Sequence, residues 1–268
     1  METTGFSEAA VQAAEIICAA SPAGKIDYAL IAPQAFRGVC DILENPTAIP
    51  YAGLPGFPMI DGEALVGSFE GASVLFLLGA APFHATGDPG LMSGPIETFA
   101  KLGVRCALAL DVAHSVNGFF GPGNLVAVSD HINFGGLDPL VGDATVTSPI
   151  DMNEPYDARL LRRLKLAATT AGVTLHDGVL MWFSGPTYQT RAETRAARLF
   201  KADLIGWSIA PEAILARRMN LPFGAIVVVP GFAAGFSGGE PSAEQTQTGV
   251  KTGTMALRRL FRVFLRAS

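Results

Sequence analysis

Short apolar runs recur along this chain at spacings that leave room for one helix between them. Tyr28–Ala32, Val66–Phe69, Ala72–Leu78, Cys106–Ala113, Asn124–Val128, Gly178–Phe183, Leu204–Ser208 and Ala225–Val229 read as strands. Several have no alternation of polar and apolar residues, which fits strands buried on both faces of a sheet. Val66–Phe69 and Ala72–Leu78 form a pair joined at Glu70-Gly71. Thr4–Ala20, Gly94–Leu102, Pro155–Ala171, Thr190–Phe200, Pro211–Asn220 and Gln245–Arg266 carry helical spacing. Strands alternating with helices predict an α/β fold with a central, mostly parallel mixed sheet flanked by helices. No linker, low-complexity tract or internal repeat divides the 268 residues, so residues 1–268 are expected to form a single domain.

Composition narrows the function classes. Charged residues are only 16% of the chain, with 19 basic and 24 acidic side chains. A net charge of -5 and the lack of a basic cluster argue against nucleic acid as a partner. Mean hydropathy is +0.35. The most apolar stretches, Ser73–Phe83 and Ala225–Phe236, fall short of the roughly 20 residues a spanning helix needs, so no membrane partner is expected. The acidic residues Glu2 and Glu8 replace the basic start of a secretory signal, so a cytoplasmic location is expected. Cys18, Cys40 and Cys106 are odd in number and far apart, which excludes a disulfide framework. Neither these nor His84, His114, His131 and His176 have the spacing of a metal site. The apolar surplus is assigned to the buried sheet and to an oligomer interface.

Ligands of parallel α/β sheets bind beyond the strand C-termini. Those positions hold His84, Asp111 with His114, Ser208, Gly231, and the run Gly185-Pro186-Thr187-Tyr188-Gln189-Thr190. Gly-Pro favours a tight turn. Thr190 is suited to cap the helix that begins at Arg191, with Glu193 in its first turn. Tyr188 and Trp207 have two readings, as pocket aromatics or core filling. Asp111 and His114 read either as a charge pair or, with His84, as acid/base chemistry. Asp130 and His131 read as a buried hydrogen-bonding cluster.

The run Ser184–Arg195 resembles the signature of the trimeric purine nucleoside phosphorylases and the related methylthioadenosine phosphorylases. The resemblance continues through Ala202–Ser208, Pro211-Glu212 and Ala216-Arg217. Upstream, Ile49-Pro50-Tyr51, Phe57-Pro58, Phe83-His84, Leu102-Gly103-Val104, Asp130–Asn133 and Tyr156-Asp157 follow the same order. It covers about residues 25–265. It implies a nucleoside phosphorylase-like fold, a homotrimer, and phosphorolytic cleavage of a nucleoside N-glycosidic bond. It implies a small-molecule nucleoside or related planar ligand, phosphate as co-substrate, and neither metal nor organic cofactor. Carried over by position, it makes His84, Asp111 and Gln189 the catalytic candidates. Tyr188, Trp207, Ser208, Gln34 and His114 become the substrate-binding candidates.

The chain departs from the family pattern where phosphate and base are held. A glycine-rich anion loop is replaced by Ala32–Gly38, where Pro33 has no N–H to donate and Gln34 stands near the hydroxyl position. Arg37 is a possible replacement cation if it turns inward. Pro82 stands where the family has Arg, Asp111-Val112 where it has Asn-Ala, and His114-Ser115 where it has Gly-Gly. Gly231 replaces the polar contact to the base, and Trp207 a Met beneath the ribose. Asp111 would repel phosphate at contact distance. Three readings therefore remain open: a phosphorylase with altered substrate or phosphate handling, a nucleoside hydrolase on the same fold, or an inactive ligand-binding homologue.

Overall fold

The computed structural model describes residues 5–79, 86–236 and 243–266. The chain opens with α1 (Glu8–Ala20), β1 (Tyr28–Ala32) and a 3-10 helix (Gln34–Ile42). Next come β2 (Glu44–Pro50), β3 (Glu63–Phe69), β4 (Ala72–Leu78), α2 (Ser93–Leu102), β5 (Cys106–Val112), β6 (His114–Ser115) and β7 (Leu125–Asn133). The second half holds α3 (Ala158–Thr170), β8 (Leu175–Trp182), α4 (Arg191–Leu199), β9 (Leu204–Gly206), α5 (Ala210–Arg218), β10 (Phe223–Val228) and α6 (Ala243–Phe264).

The strands form one mixed sheet in the order β2-β3-β4-β1-β5-β10-β7-β8-β9-β6. Strands β4, β1, β5 and β10 run parallel, as do β7, β8 and β9. The β10–β7 pair is antiparallel, as are β2–β3, β3–β4 and β6–β9. The β3–β4 hairpin turns at Glu70 and Gly71, both at positive φ, which matches the twist of the flanking strands.

The uninterrupted apolar runs have the predicted cause. In β1, Ala29 and Ile31 face one core cluster, while Tyr28, Leu30 and Ala32 face the other. Leu75 and Leu77 of β4 split from Val74, Phe76 and Leu78 in the same way. A strand with helices on both sides has no polar face to present. Helix α6 approaches β10 through two glycines four residues apart. A Cβ at Gly253 would lie 2.3 Å from a Val228 methyl, and one at Gly249 2.9 Å from the Pro230 carbonyl. This approach seats α6 against the strand end that borders the site. Among the described residues, no helix is long and apolar enough to cross a membrane.

Several boundaries move. The region after β1, read from sequence as a loop, is a 3-10 helix whose Phe36, Val39, Cys40 and Ile42 are buried. Strand β2, which the apolar pattern does not mark, has no buried residue and survives by pairing with β3. Strand β7 continues through Asp130–Asn133 because it pairs with β8 along that length. Asp130 is exposed and accepts the His131 N–H, so the cluster expected there is not buried as a whole. His131 Nδ1 instead lies 3.0 Å from the Tyr156 hydroxyl.

Candidate active site

The site arises from a break in one strand. β5 ends at Val112, and two residues later the same chain pairs with β9 as β6. The Ala113 N–H is given to Val228 of β10 at the crossing. The far edge of the sheet thereby folds back onto its middle. Ser115 then receives the Ala233 N–H and donates its own to Gly231, fixing the segment after β10 to the same place. Loops from β1, β5, β8, β9 and β10 converge beyond the strand C-termini, the expected position of a ligand in such a sheet.

A cavity of about 210 Å³ occupies that convergence. Ile31, Pro33, Ala109 and Leu110 form its apolar floor. Asp111, Ser208 and Glu212 make one polar wall; His114, Tyr188, Gln189 and Trp207 make the other. A side pocket of about 90 Å³ shares His114, Tyr188 and Gln189 and extends to Phe232, Ala233, Ala234 and Thr246. The two compartments meet at the three shared side chains.

Asp111 is held at both oxygens. Its Oδ1 accepts the Val112 N–H at 2.7 Å, and its Oδ2 accepts the Ser208 hydroxyl. Burial pushes its carboxyl up to about 7. The Val112 N–H works against this, and the charge of Glu212 adds to it. Glu212 lies in the first turn of α5 and is 6% exposed. Burial raises its pKa too, against stabilising N–H contacts from Ile209 and its own backbone. Its Oε2 has no hydrogen-bond partner among the described residues. Between Ser208 and α5, Ile209 adopts φ 82° and ψ -47°, a costly conformation for a β-branched residue. Packing overrides that cost, since Ile209 is 2% exposed within the core.

On the other wall three rings touch in series. Tyr188 meets His114 edge-on at 5.3 Å and Trp207 at 5.3 Å with a 36° tilt. Tyr188 is 67% exposed, so it is not core filling, and Trp207 is only partly buried. Burial lowers the His114 pKa, favouring the neutral ring. Gln189 is buried beside its exposed neighbours Tyr188 and Thr190. Thr190 anchors this segment: its hydroxyl accepts the Glu193 N–H, and the Glu193 carboxylate accepts the Thr190 N–H. That reciprocal cap fixes where α4 starts, and hence where Gln189 points.

The structure thus brings together six of the residues singled out by sequence: Asp111, His114, Tyr188, Gln189, Trp207 and Ser208. Asp111 and His114 make no ion pair among the described residues; Asp111 bonds to Ser208 instead. Gln34 is exposed at the start of the 3-10 helix and is not in the cavity wall, where Pro33 stands. Arg37 is drawn to Glu63 at the surface, so it supplies no cation to the cavity. Pro82 and His84 lie outside the described residues. Glu212 enters the sequence reading only within the Pro211-Glu212 match, with no role of its own. The signal available was an acidic residue four positions after Ser208, on the first turn of a helix entering the site. Among the described residues of the cavity wall there is no Lys or Arg.

The chain is similar in sequence and in fold to known proteins. A model of the phosphorylase superfamily matches residues 37–266. Purine nucleoside phosphorylase 1 of Geobacillus stearothermophilus is 32% identical over 214 residues, 77% of this chain and 78% of that protein. The purine nucleoside phosphorylase of Mycobacterium leprae is 32% identical over 237 residues, 86% and 85% of the two chains. Among solved structures, isoform 2 of purine nucleoside phosphorylase from Schistosoma mansoni, in complex with cytosine and ribose-1-phosphate, shares the fold. Its TM-score is 0.84 at 22% identity, with 97% of this chain and 96% of that chain covered.

Proposed function

The chain belongs to the phosphorylase superfamily, and from that premise we propose that it cleaves the N-glycosidic bond of a purine nucleoside by phosphorolysis, with altered handling of phosphate. The observation that carries this reading is the two-compartment cavity, with the buried Gln189 and Tyr188 at its junction and Trp207 against Tyr188 in the larger compartment. An apolar cavity with a few convergent polar groups suits a flat ligand with a hydrogen-bonding edge.

In this reading the base lies against the Tyr188–Trp207 pair, whose rings already touch each other. Gln189 both donates and accepts, so it can pair with the edge of a leaving base. Holding sugar and acceptor in one small cavity supplies much of the catalytic advantage through orientation. Asp111 is the alteration: together with Glu212 in the same cavity, it places negative charge where an anionic acceptor would approach the sugar. Exposed Phe134, Leu199 and Phe200 suit a subunit interface, and the resemblance carried by Ser184–Arg195 makes a homotrimer the working assembly.

The test is incubation with inosine, adenosine and methylthioadenosine, with and without phosphate, while free base is followed. Release of base from at least one nucleoside, increased by phosphate, is the expected result, and release that phosphate does not raise would overturn phosphorolysis. No release from any of them, together with no thermal shift, would overturn the proposal.

A further inference from the structure

The phosphorylase reading leaves the Asp111–Ser208–Glu212 wall unused except as an obstacle. Four observations give it a positive role. Asp111 is held in one orientation by Val112 N–H and the Ser208 hydroxyl, one donor on each oxygen, and a carboxylate oxygen has a second lone pair. It faces a cavity large enough for water. Glu212, more than nine-tenths buried, lines the same cavity with an oxygen that has no partner among the described residues. No described Lys or Arg stands on the wall to collect an anion.

We propose that water is a second acceptor for the sugar in this site, with Asp111 as its general base. The inference rests on the proposed glycosidic cleavage and names a further acceptor for it. The water oxygen bonds to the anomeric carbon, and the C–N bond breaks with its electron pair leaving on the base. The water proton passes to the Asp111 carboxylate, which returns it to solvent, and the departing base takes a proton from solvent. Nucleoside and water become free base and free sugar, with no oxidant, metal or further reactant. Ser208 is a positioning residue, because its hydroxyl fixes the carboxylate. Glu212 acts through its charge, which makes Asp111 a stronger base.

The groups facing Asp111 set the pH response. From α5 comes Glu212, from the β9–α5 turn Ser208, from β6 His114 and from the loop after β8 Tyr188. Glu212 is the charged member among these described neighbours, and burial favours the neutral form of His114. Burial and Glu212 hold the Asp111 carboxyl at about 7, so the base form grows through neutral pH. Phosphate is favoured on the acid side, where Asp111 is uncharged, and water on the alkaline side.

The experiment uses the full chain with inosine in rigorously phosphate-free buffer containing ¹⁸O-labelled water, and in parallel with inorganic phosphate. Expected without phosphate is hypoxanthine release with the label in free ribose. Asp111→Asn is expected to lower that release at least 100-fold while still shifting in melting temperature with hypoxanthine. Glu212→Gln is expected to move the midpoint of the phosphate-independent rate to lower pH, because one repelling charge is gone. Base release that strictly requires phosphate and yields only ribose 1-phosphate overturns the second acceptor and leaves the phosphorylase reading standing. Phosphate-independent release that persists in Asp111→Asn, or a midpoint unmoved in Glu212→Gln, overturns the assigned roles. No release under any condition overturns both readings.

Discussion

Tyr188 stands two-thirds exposed at the lip of a cavity, held by two ring contacts and with the buried Gln189 immediately after it. A ring in that position gains its packing from a ligand more than from the core. Tyr188→Ala is therefore expected to weaken binding of hypoxanthine roughly fivefold, from the ~1 kcal/mol an aromatic contact contributes beyond buried area. The melting temperature without ligand should hardly move. Calorimetry checks the first statement and thermal unfolding the second. Asp111 makes the complementary case for charge. Asp111→Asn keeps the shape and removes the anion, so inorganic phosphate should bind more tightly. Equal or weaker phosphate affinity would refute the repulsion.

The elements around the site are specified by local chemistry, and each can be unmade locally. Helix α4 begins where the Thr190–Glu193 capping box dictates. Thr190→Ala should cost about 1 kcal/mol of stability, measured by chemical unfolding, with a larger relative loss of ligand affinity because Gln189 loses its anchor. The sequence showed this helix and its cap plainly, since threonine, the acid three residues on and the helical spacing are all local. It showed the buried strands for the same reason. It did not show β2, whose exposed residues carry no apolar signal, or the 3-10 helix after β1. Both are held by neighbours distant in sequence: β2 by the β3 ladder, the 3-10 helix by packing of Phe36 and Val39 into the core under α6.

At the scale of the whole molecule, the buried carboxylates link stability to pH. Asp111 has a folded value near 7 against about 3.9 for an unfolded aspartate. A raised value favours the protonated folded state, so its contribution is complete below about pH 4 and is lost as pH rises through about 7. Glu212 is shifted in the same direction by the same burial. Asp27 runs oppositely: its bonds to Ser73 N–H and Lys25, with Arg105 nearby, lower its pKa and stabilise the fold above the unfolded value. The Asp111→Asn variant isolates one term. Its melting temperature relative to the parent should rise between pH 4 and pH 8, and a flat difference would contradict the burial of that charge. The apolar surplus belongs to this scale too. The two buried faces of the sheet absorb most of it, and Phe134, Leu199 and Phe200 remain outside. Light scattering should report a trimer, and a monomer would remove the assembly proposed for those residues.

Sequence by itself determined the α/β alternation, the strands buried on both faces, the hairpin at Glu70-Gly71 and the capped start of α4. These depend on side-chain periodicity and on contacts within a few residues, so they are written along the chain. It also marked six residues of the cavity wall, through their places after strands and their resemblance to a known pattern. Only the tertiary structure decided what those residues do to one another. The β5–β6 break carries Asp111 to Ser208, 97 positions away, and folding seats Glu212 against the same cavity. It also turns Arg37 outward to Glu63 and leaves Gln34 in solvent. The charge of a site depends on which groups share a cavity and how far they are from water, and no local pattern records either.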